Sequence, residues 1–195
     1  MMYLLILKIN YVQWITSNMS VISSEIKSFL NSQKLGYVAT VSSDGKPNIS
    51  PKGTIISWTS ELLVFANIRS PDTMTNLRNN PSVEINVIDP LSRKGYLFIG
   101  TGKIIKDTPL FDEIVTYYRN SGIQSPINSV VLVTVSSVSE VTSPLYDLGK
   151  SESEIKLRWK KYFNDLWLIY FFSDLIFINS CLVFLCASLS SSKSP

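Results

Sequence analysis

Between residues 20 and 165 the apolar positions of this chain alternate between a spacing of two and a spacing of three to four, with turn signals at most of the switches. Ile26, Phe29 and Leu30 share one face of a short helix predicted over Ile22 to Asn31. Gly36 to Val41 reads as a strand, and Ser43-Asp44-Gly45-Lys46 reads as a turn in which Gly45 takes positive φ. Pro47 to Trp58 is the next strand, and Thr59-Ser60 turns the chain into Glu61 to Ile68. Ser82 to Asp89 alternates Val83, Ile85 and Val87 with Glu84 and Asn86, and Tyr96 to Ile105 and Ser129 to Val141 supply two more strands. Three further helices open on start signals: Ser70-Pro71 before Pro71 to Asn79, Thr108-Pro109 before Pro109 to Asn120, and a capping box, Ser151-x-x-Glu154, before Ser151 to about Leu166. Six strands with tight turns and few crossovers predict a mainly β fold: a six-stranded antiparallel Greek-key barrel with short flanking helices.

The two ends break this pattern. Met1 to Thr16 is apolar but has neither a basic n-region nor a small-residue cleavage site, and Lys8 and Asn10 lie inside it. That argues against a secretory signal and against a membrane span. Two readings stay open for it: a natural start at Met19, or a short packed N-terminal helix. Leu166 to Leu189 carries a single charge, Asp174, and follows Lys156, Arg158, Lys160 and Lys161. It reads as a membrane tail anchor, as a helix buried against a partner, or as residues from a shifted reading frame. The expected organisation is an extension over 1–18, a folded domain over 19–165 and a hydrophobic tail over 166–195.

Composition narrows the chemistry. The 195 residues are 45% hydrophobic and 17% charged, with a net charge of +3, which excludes intrinsic disorder. The 18 basic residues are scattered rather than striped, so nucleic acid is not an expected partner. With no histidine, the chain has no Ser-His-Asp or Cys-His catalysis and no His-ligated zinc. Cys181 and Cys186 form no CxxC and supply no metal site, and reduced, cytoplasmic surroundings fit them best. Asp112 and Glu113 face different sides of a helix, and Glu152 and Glu154 share a capping turn, so no acid–base dyad is visible.

Three segments could hold a ligand. In the first, Asn48, Ser50, Lys52 and Thr54 alternate with Ile49, Pro51, Gly53 and Ile55, which makes one face of the strand polar. Such a face is either the solvated outside of an antiparallel strand or a ligand-facing wall. Pro51 and Gly53 suit the wall, because both loosen a ladder. In the second, Asn67 to Thr73 ends a strand, places Arg69, and opens a helix on Ser70-Pro71 with Thr73 at its third position. Free N–H groups, the helix dipole, two hydroxyls and a guanidinium then suit a phosphate, or else form an ordinary capped helix with a solvated arginine. Asp72 favours the second of these. In the third, Ser92-Arg93-Lys94 precedes Gly95-Tyr96 and a glycine-containing strand, where the two cations are either solvated at a loop tip, with the glycines marking a barrel bend, or placed beside a bound anionic ligand.

In order and spacing, GYVATVSSDGKPNISPKG, LLVFANIRSPDTMTNLRNNPSVEINV and RKGYLFIGTGKI resemble the FMN-binding split-barrel family, the pyridoxamine 5'-phosphate oxidase-like group, over residues 20–163. The resemblance implies a six-stranded antiparallel split barrel that dimerises and holds FMN at the subunit interface. It implies that Ser50, Pro51, Lys52, Gly53 and Thr54, on to Ile56, run beside the flavin ring, with Ala66 and Asn67 near the ring or ribityl chain. Arg69, Ser70 and Thr73 would take the phosphate, and Gly95 and Tyr96 would contribute across the interface. Asp72 stands where many members carry a basic residue, which leaves Lys52 or Arg69 as the substitute. The Arg/His substrate signature of true pyridoxamine phosphate oxidases cannot be built without histidine. SPLYDLGKSESEIKLRWKKYF resembles the closing segment of prokaryotic, especially archaeal, members.

The expected function is therefore an FMN-dependent oxidoreductase that passes hydride or electrons between a reduced nicotinamide and a small acceptor. No side chain is then required as acid or base, because the chemistry resides in the cofactor. The alternatives are a non-catalytic FMN carrier or sensor, a relative holding deazaflavin or haem in the same barrel, and a tail-anchored barrel that serves assembly.

Overall fold

The computed structural model describes residues 21–33 and 35–168, so the reading of Met19 as a start, and all of the 166–195 tail beyond residue 168, lie outside the described residues. The described residues divide into two compact units, one formed by those up to Asp89 together with Lys94–Thr142, and one by Pro90–Arg93 and the residues from Ser143 on.

The first unit contains α1 (Ser24–Ser32), β1 (Gly36–Val41), β2 (Pro47–Lys52), β3 (Ile56–Ser57), β4 (Leu62–Asn67), α2 (Pro71–Asn79), β5 (Ser82–Asp89), β6 (Lys94–Ile105), α3 (Pro109–Asn120) and β7 (Ser129–Thr142). The strands form one antiparallel ladder in the order β2-β1-β5-β6-β7-β4-β3. Within it, β4 lies beside β7 of the β5-β6-β7 meander, which is a Greek key. The ladder has seven strands rather than six, because the run expected as one strand from Pro47 to Trp58 breaks after Lys52. Its halves, β2 and β3, form the two edges of the sheet and are joined by only Gly53, Thr54 and Ile55. A link of that length spans at most about 14 Å, whereas the edges of a flat seven-stranded sheet lie roughly 29 Å apart. The sheet must therefore curl until its edges meet. The barrel is closed by the covalent chain and split at the hydrogen-bond ladder.

Residues that alternate inward from the strands form the core: Val38, Leu63, Phe65, Ile85, Phe98 and Val131 are fully buried, with Met74 and Leu77 of α2 and Leu30 of α1 packed among them. β4 is buried on both faces, which is why it reads as a continuous apolar run. Leu63 and Phe65 belong to the barrel core, while Val64 and Ala66 pack with Ile114 and Tyr118 of α3.

In the second unit the capping box forms as expected. The Ser151 N–H donates to Glu154 Oε2 at 2.9 Å, and the Glu154 N–H donates to Ser151 Oγ at 3.3 Å. The Ser151 backbone donor, with the Ser151 hydroxyl and Lys150, holds the Glu154 carboxyl down to about 2. The helix that follows is α4, residues 152–168. The Arg93 guanidinium lies 3.5 Å from the centre of the Trp159 ring, and the Tyr146 hydroxyl donates to Ser92 O at 2.7 Å. Among the described residues, no helix is long and apolar enough to cross a membrane.

Candidate functional site

The polar alternation of β2 turns inward. Asn48 and Ser50 are half-buried and Lys52 is only 6% exposed, while Ile49 between them is 66% exposed. The solvated-outer-face alternative is thus overturned, and the physical reason is the covering of the inner face. α2 packs on β1 and β2 and offers polar groups to them. Thr73 donates to Asn48 Oδ1 at 3.4 Å, and Asn76 donates to Thr40 Oγ1 at 3.1 Å.

Lys52 sits at the end of this polar row. Its ammonium donates to Ser50 Oγ and, at 2.6 Å, to Ser70 Oγ, and it lies 6.0 Å from the centre of the Phe65 ring. Among the described residues no carboxylate faces it, and burial pushes the ammonium below its ordinary value. Its contact with Ser70 changes the start of α2. Ser70 stands at the N-cap with φ -147 and ψ 62, outside the extended conformation usual there; it makes no capping bond, and its hydroxyl accepts from Lys52. The first helical turn keeps its donors uncapped and its positive dipole end beside a buried cation. Cation, hydroxyls and N–H groups then converge at one place, which suits an anion, although Asp72 also stands in this first turn. Arg69 and Asp72 are both exposed at this end.

A groove of about 740 Å³ adjoins the break between β2 and β3, with Gly53, Thr54, Ile55 and Ile56 in its lining. A small gap lined by Lys52 shares Leu30, Gln33, Gly53 and Ile55 with the groove, so the cation lies next to it. The groove's remaining walls come from the end of α1, from Ile68, from Tyr117 and Tyr118, and from residues 121–125. Among the described residues, every one that lines the groove is uncharged. Thr54 organises the break: its hydroxyl accepts the Ala66 N–H at 3.0 Å, and its carbonyl accepts the Tyr118 hydroxyl at 2.7 Å. Burial pushes the Tyr118 phenol well above its ordinary range, so it stays protonated as that donor.

The structure thus brings together Ser50, Lys52, Gly53, Thr54 and Ser70, with Ala66 bonded to Thr54 and Thr73 one turn into α2. Pro51 is exposed on the outer side of β2. Asn67 donates to Ser129 Oγ at 3.1 Å. Gly95 and Tyr96 lie elsewhere: Tyr96 meets Phe29 edge-on at 5.2 Å, and a Cβ on Gly95 would come 2.1 Å from Val87 O. Sequence reasoning missed Asn48 as a partner of Thr73, and the groove wall of α3 and residues 121–125. Tyr118 carries no local signal, since its partner Thr54 is 64 residues away.

The family model for pyridoxamine 5'-phosphate oxidase matches residues 22–142, more than half of the chain. The chain belongs to that family. Among solved structures, Group A Streptococcus HupZ is 27% identical, with a TM-score of 0.58 over 63% of this chain and 95% of the HupZ chain. An FMN-binding protein from Syntrophomonas wolfei subsp. wolfei is 14% identical, with a TM-score of 0.56 over 71% of this chain and 98% of its own, a likeness of fold. No curated protein matches the chain. The family match ends at residue 142, which is where β7 and the first compact unit also end.

Proposed function

We propose that this pyridoxamine 5'-phosphate oxidase family member binds FMN, with the phosphate at Lys52 and the start of α2 and the ring in the groove along Gly53 to Ile56. The observation that carries this reading is Lys52 itself: a buried ammonium with two serine hydroxyls and, among the described residues, no carboxylate, set against an uncapped helix start. Burying a cation without a counter-charge is costly, and an anionic ligand offsets that cost. Ser70, Thr73 and the first N–H groups of α2 would hold the phosphate, with exposed Arg69 at the same helix end. Bound FMN would supply hydride and single-electron transfer, between a reduced nicotinamide and a small acceptor in this reading. The chain's part is to bind the phosphate, to keep charged groups away from the ring and to shape the groove.

Titration of the purified protein should quench FMN fluorescence stoichiometrically, with riboflavin binding more weakly because it lacks the phosphate. No quenching at high micromolar FMN would sink the reading. Preferential binding of a deazaflavin would keep the site and change the cofactor.

A homodimer is part of the same proposal. On the outer face of the sheet, Tyr37 pairs with Pro51, Ala39 with Ile49, and Val41 with Pro47. Tyr37, Val41, Ile49 and Ile99 are exposed there, which makes an apolar sheet face suited to a second copy. Light scattering should give a dimer for the native chain, and Ile49→Glu should shift it towards monomer with the fold intact. A native chain that is monomeric at micromolar concentration would refute this arrangement.

A further inference from the structure

The last turn of α3 holds two separate parts of the groove. Tyr118 fixes its floor through the Thr54 carbonyl, and the next residue, Arg119, fixes its wall. One guanidinium nitrogen of Arg119 donates to Ile123 O at 2.7 Å and to Ser125 O at 2.8 Å. Ile123 in this segment packs against the cluster of Val64, Ala66, Ile114 and Tyr118, while the rest of it lies at the surface. Gly122, Gln124 and Ser125 are exposed, Gly122 turns at φ 89, and Ile123 N–H is tied back to Tyr118 O at 3.0 Å. Ile123, Gln124 and Ser125 all line the groove. Arg119 itself is not among the lining residues, so its charge is spent on backbone carbonyls rather than on the ligand.

We propose that Arg119 is a positioning residue of the groove, and that by clamping the 123–125 wall it holds the surface against which the flavin ring packs. The inference rests on the flavin reading for the identity of the ring. It assigns Arg119 no contact with the phosphate, and this separates it from Lys52. Two charge-assisted hydrogen bonds to one loop are sufficient to set its position, and small displacements of a binding wall are costly.

The test compares Arg119→Gln and Arg119→Lys with the native protein. Arg119→Gln should weaken FMN and riboflavin by the same factor, about tenfold or more, with Arg119→Lys recovering part of the loss. The visible spectrum of bound flavin should also shift towards that of free flavin, a change that general destabilisation at saturating ligand would not produce. Without ligand, amide exchange at Gly122 to Ser125 should accelerate in Arg119→Gln while exchange in β4 and β7 stays unchanged. Loss of FMN affinity with riboflavin spared would make Arg119 a phosphate ligand and overturn the proposal. Unchanged affinity and spectrum in Arg119→Gln would overturn it as well. If the native protein takes no flavin, the flavin reading fails on its own, and the exchange measurement still decides the clamp: unchanged exchange at Gly122 to Ser125 overturns it.

Discussion

Lys52→Met is expected to raise the melting temperature of the ligand-free protein while lowering its FMN affinity by roughly 10- to 150-fold, the equivalent of losing a hydrogen bond to a charged group. Riboflavin affinity should stay unchanged. The opposite signs follow from one fact. The Lys52 ammonium is buried beside two hydroxyls and an aromatic ring, with no carboxylate among the described residues to compensate it. Methionine fills similar space without a charge, so the folded state should gain about 1–2 kcal/mol. The phosphate of FMN, however, loses the cation it would meet. The pH dependence has a definite sign. Burial lowers the folded-state pKa of Lys52 below 10.5, so the unfolded chain holds more protons between the two values. The penalty is fully present below the lowered value and is relieved as pH rises through it towards 10.5. Native stability should therefore climb in that alkaline window relative to the methionine variant, while FMN binding by the native protein weakens there as the ammonium loses its charge. Melting curves and FMN titrations at stepped pH measure both. A variant that is less stable, or that weakens FMN and riboflavin equally, would show that Lys52 is a structural group and not the phosphate's partner.

Gly100→Ala should cost about 3 kcal/mol or more, the upper end of what overpacking causes, and should lower the melting temperature by roughly 10 °C. A Cβ at Gly100 would stand 2.2 Å from Thr134 O and 3.0 Å from Thr134 C, so backbone rather than a yielding side chain must move. The position falls where the β6–β7 register shifts, between Ile99 and Gly100. Bulges of this kind increase local twist, and the close approach of the two backbones there leaves no room for a methyl group. β7 bonds to β4 on its other side, so displacing it disturbs the strand that carries Phe65 and Ala66 as well. A urea or thermal melt showing a loss below about 1 kcal/mol would mean that the ladder relaxes around the methyl group and that the bulge is not a fixed feature.

The helix starts were legible because their signals act over three or four residues. Thr108 accepts the Phe111 N–H and Ser151 exchanges bonds with Glu154, both as the sequence pattern implies. The strand at Pro47 to Trp58 was legible as extended chain, and Pro51 and Gly53 marked it as loosened. Its division into two edge strands was not legible, because a break inside one extended run has no distinctive local residue pattern beyond a glycine. The Ser70-Pro71 start shows the limit of local reading. A serine there predicts a cap, yet its hydroxyl accepts from Lys52, 18 residues away, and the cap is never made.

The sequence by itself determined the antiparallel strand pattern, the helix boundaries, the family and most of the residues that gather at the site, since periodicity, caps and turn chemistry depend on near neighbours. Only the tertiary structure decided which side of β2 faces inward. Alternation of polar and apolar residues specifies two faces but not which of them is covered, and here α2 covers the polar one. The same holds for the groove. Thr54 and Tyr118 are 64 residues apart, and they meet because the curled sheet brings its two edges together under α3. Closing a loop of that length costs entropy that no local propensity can offset. The contact therefore exists only once the barrel core has formed, and with it the groove and the uncompensated charge of Lys52 beside it.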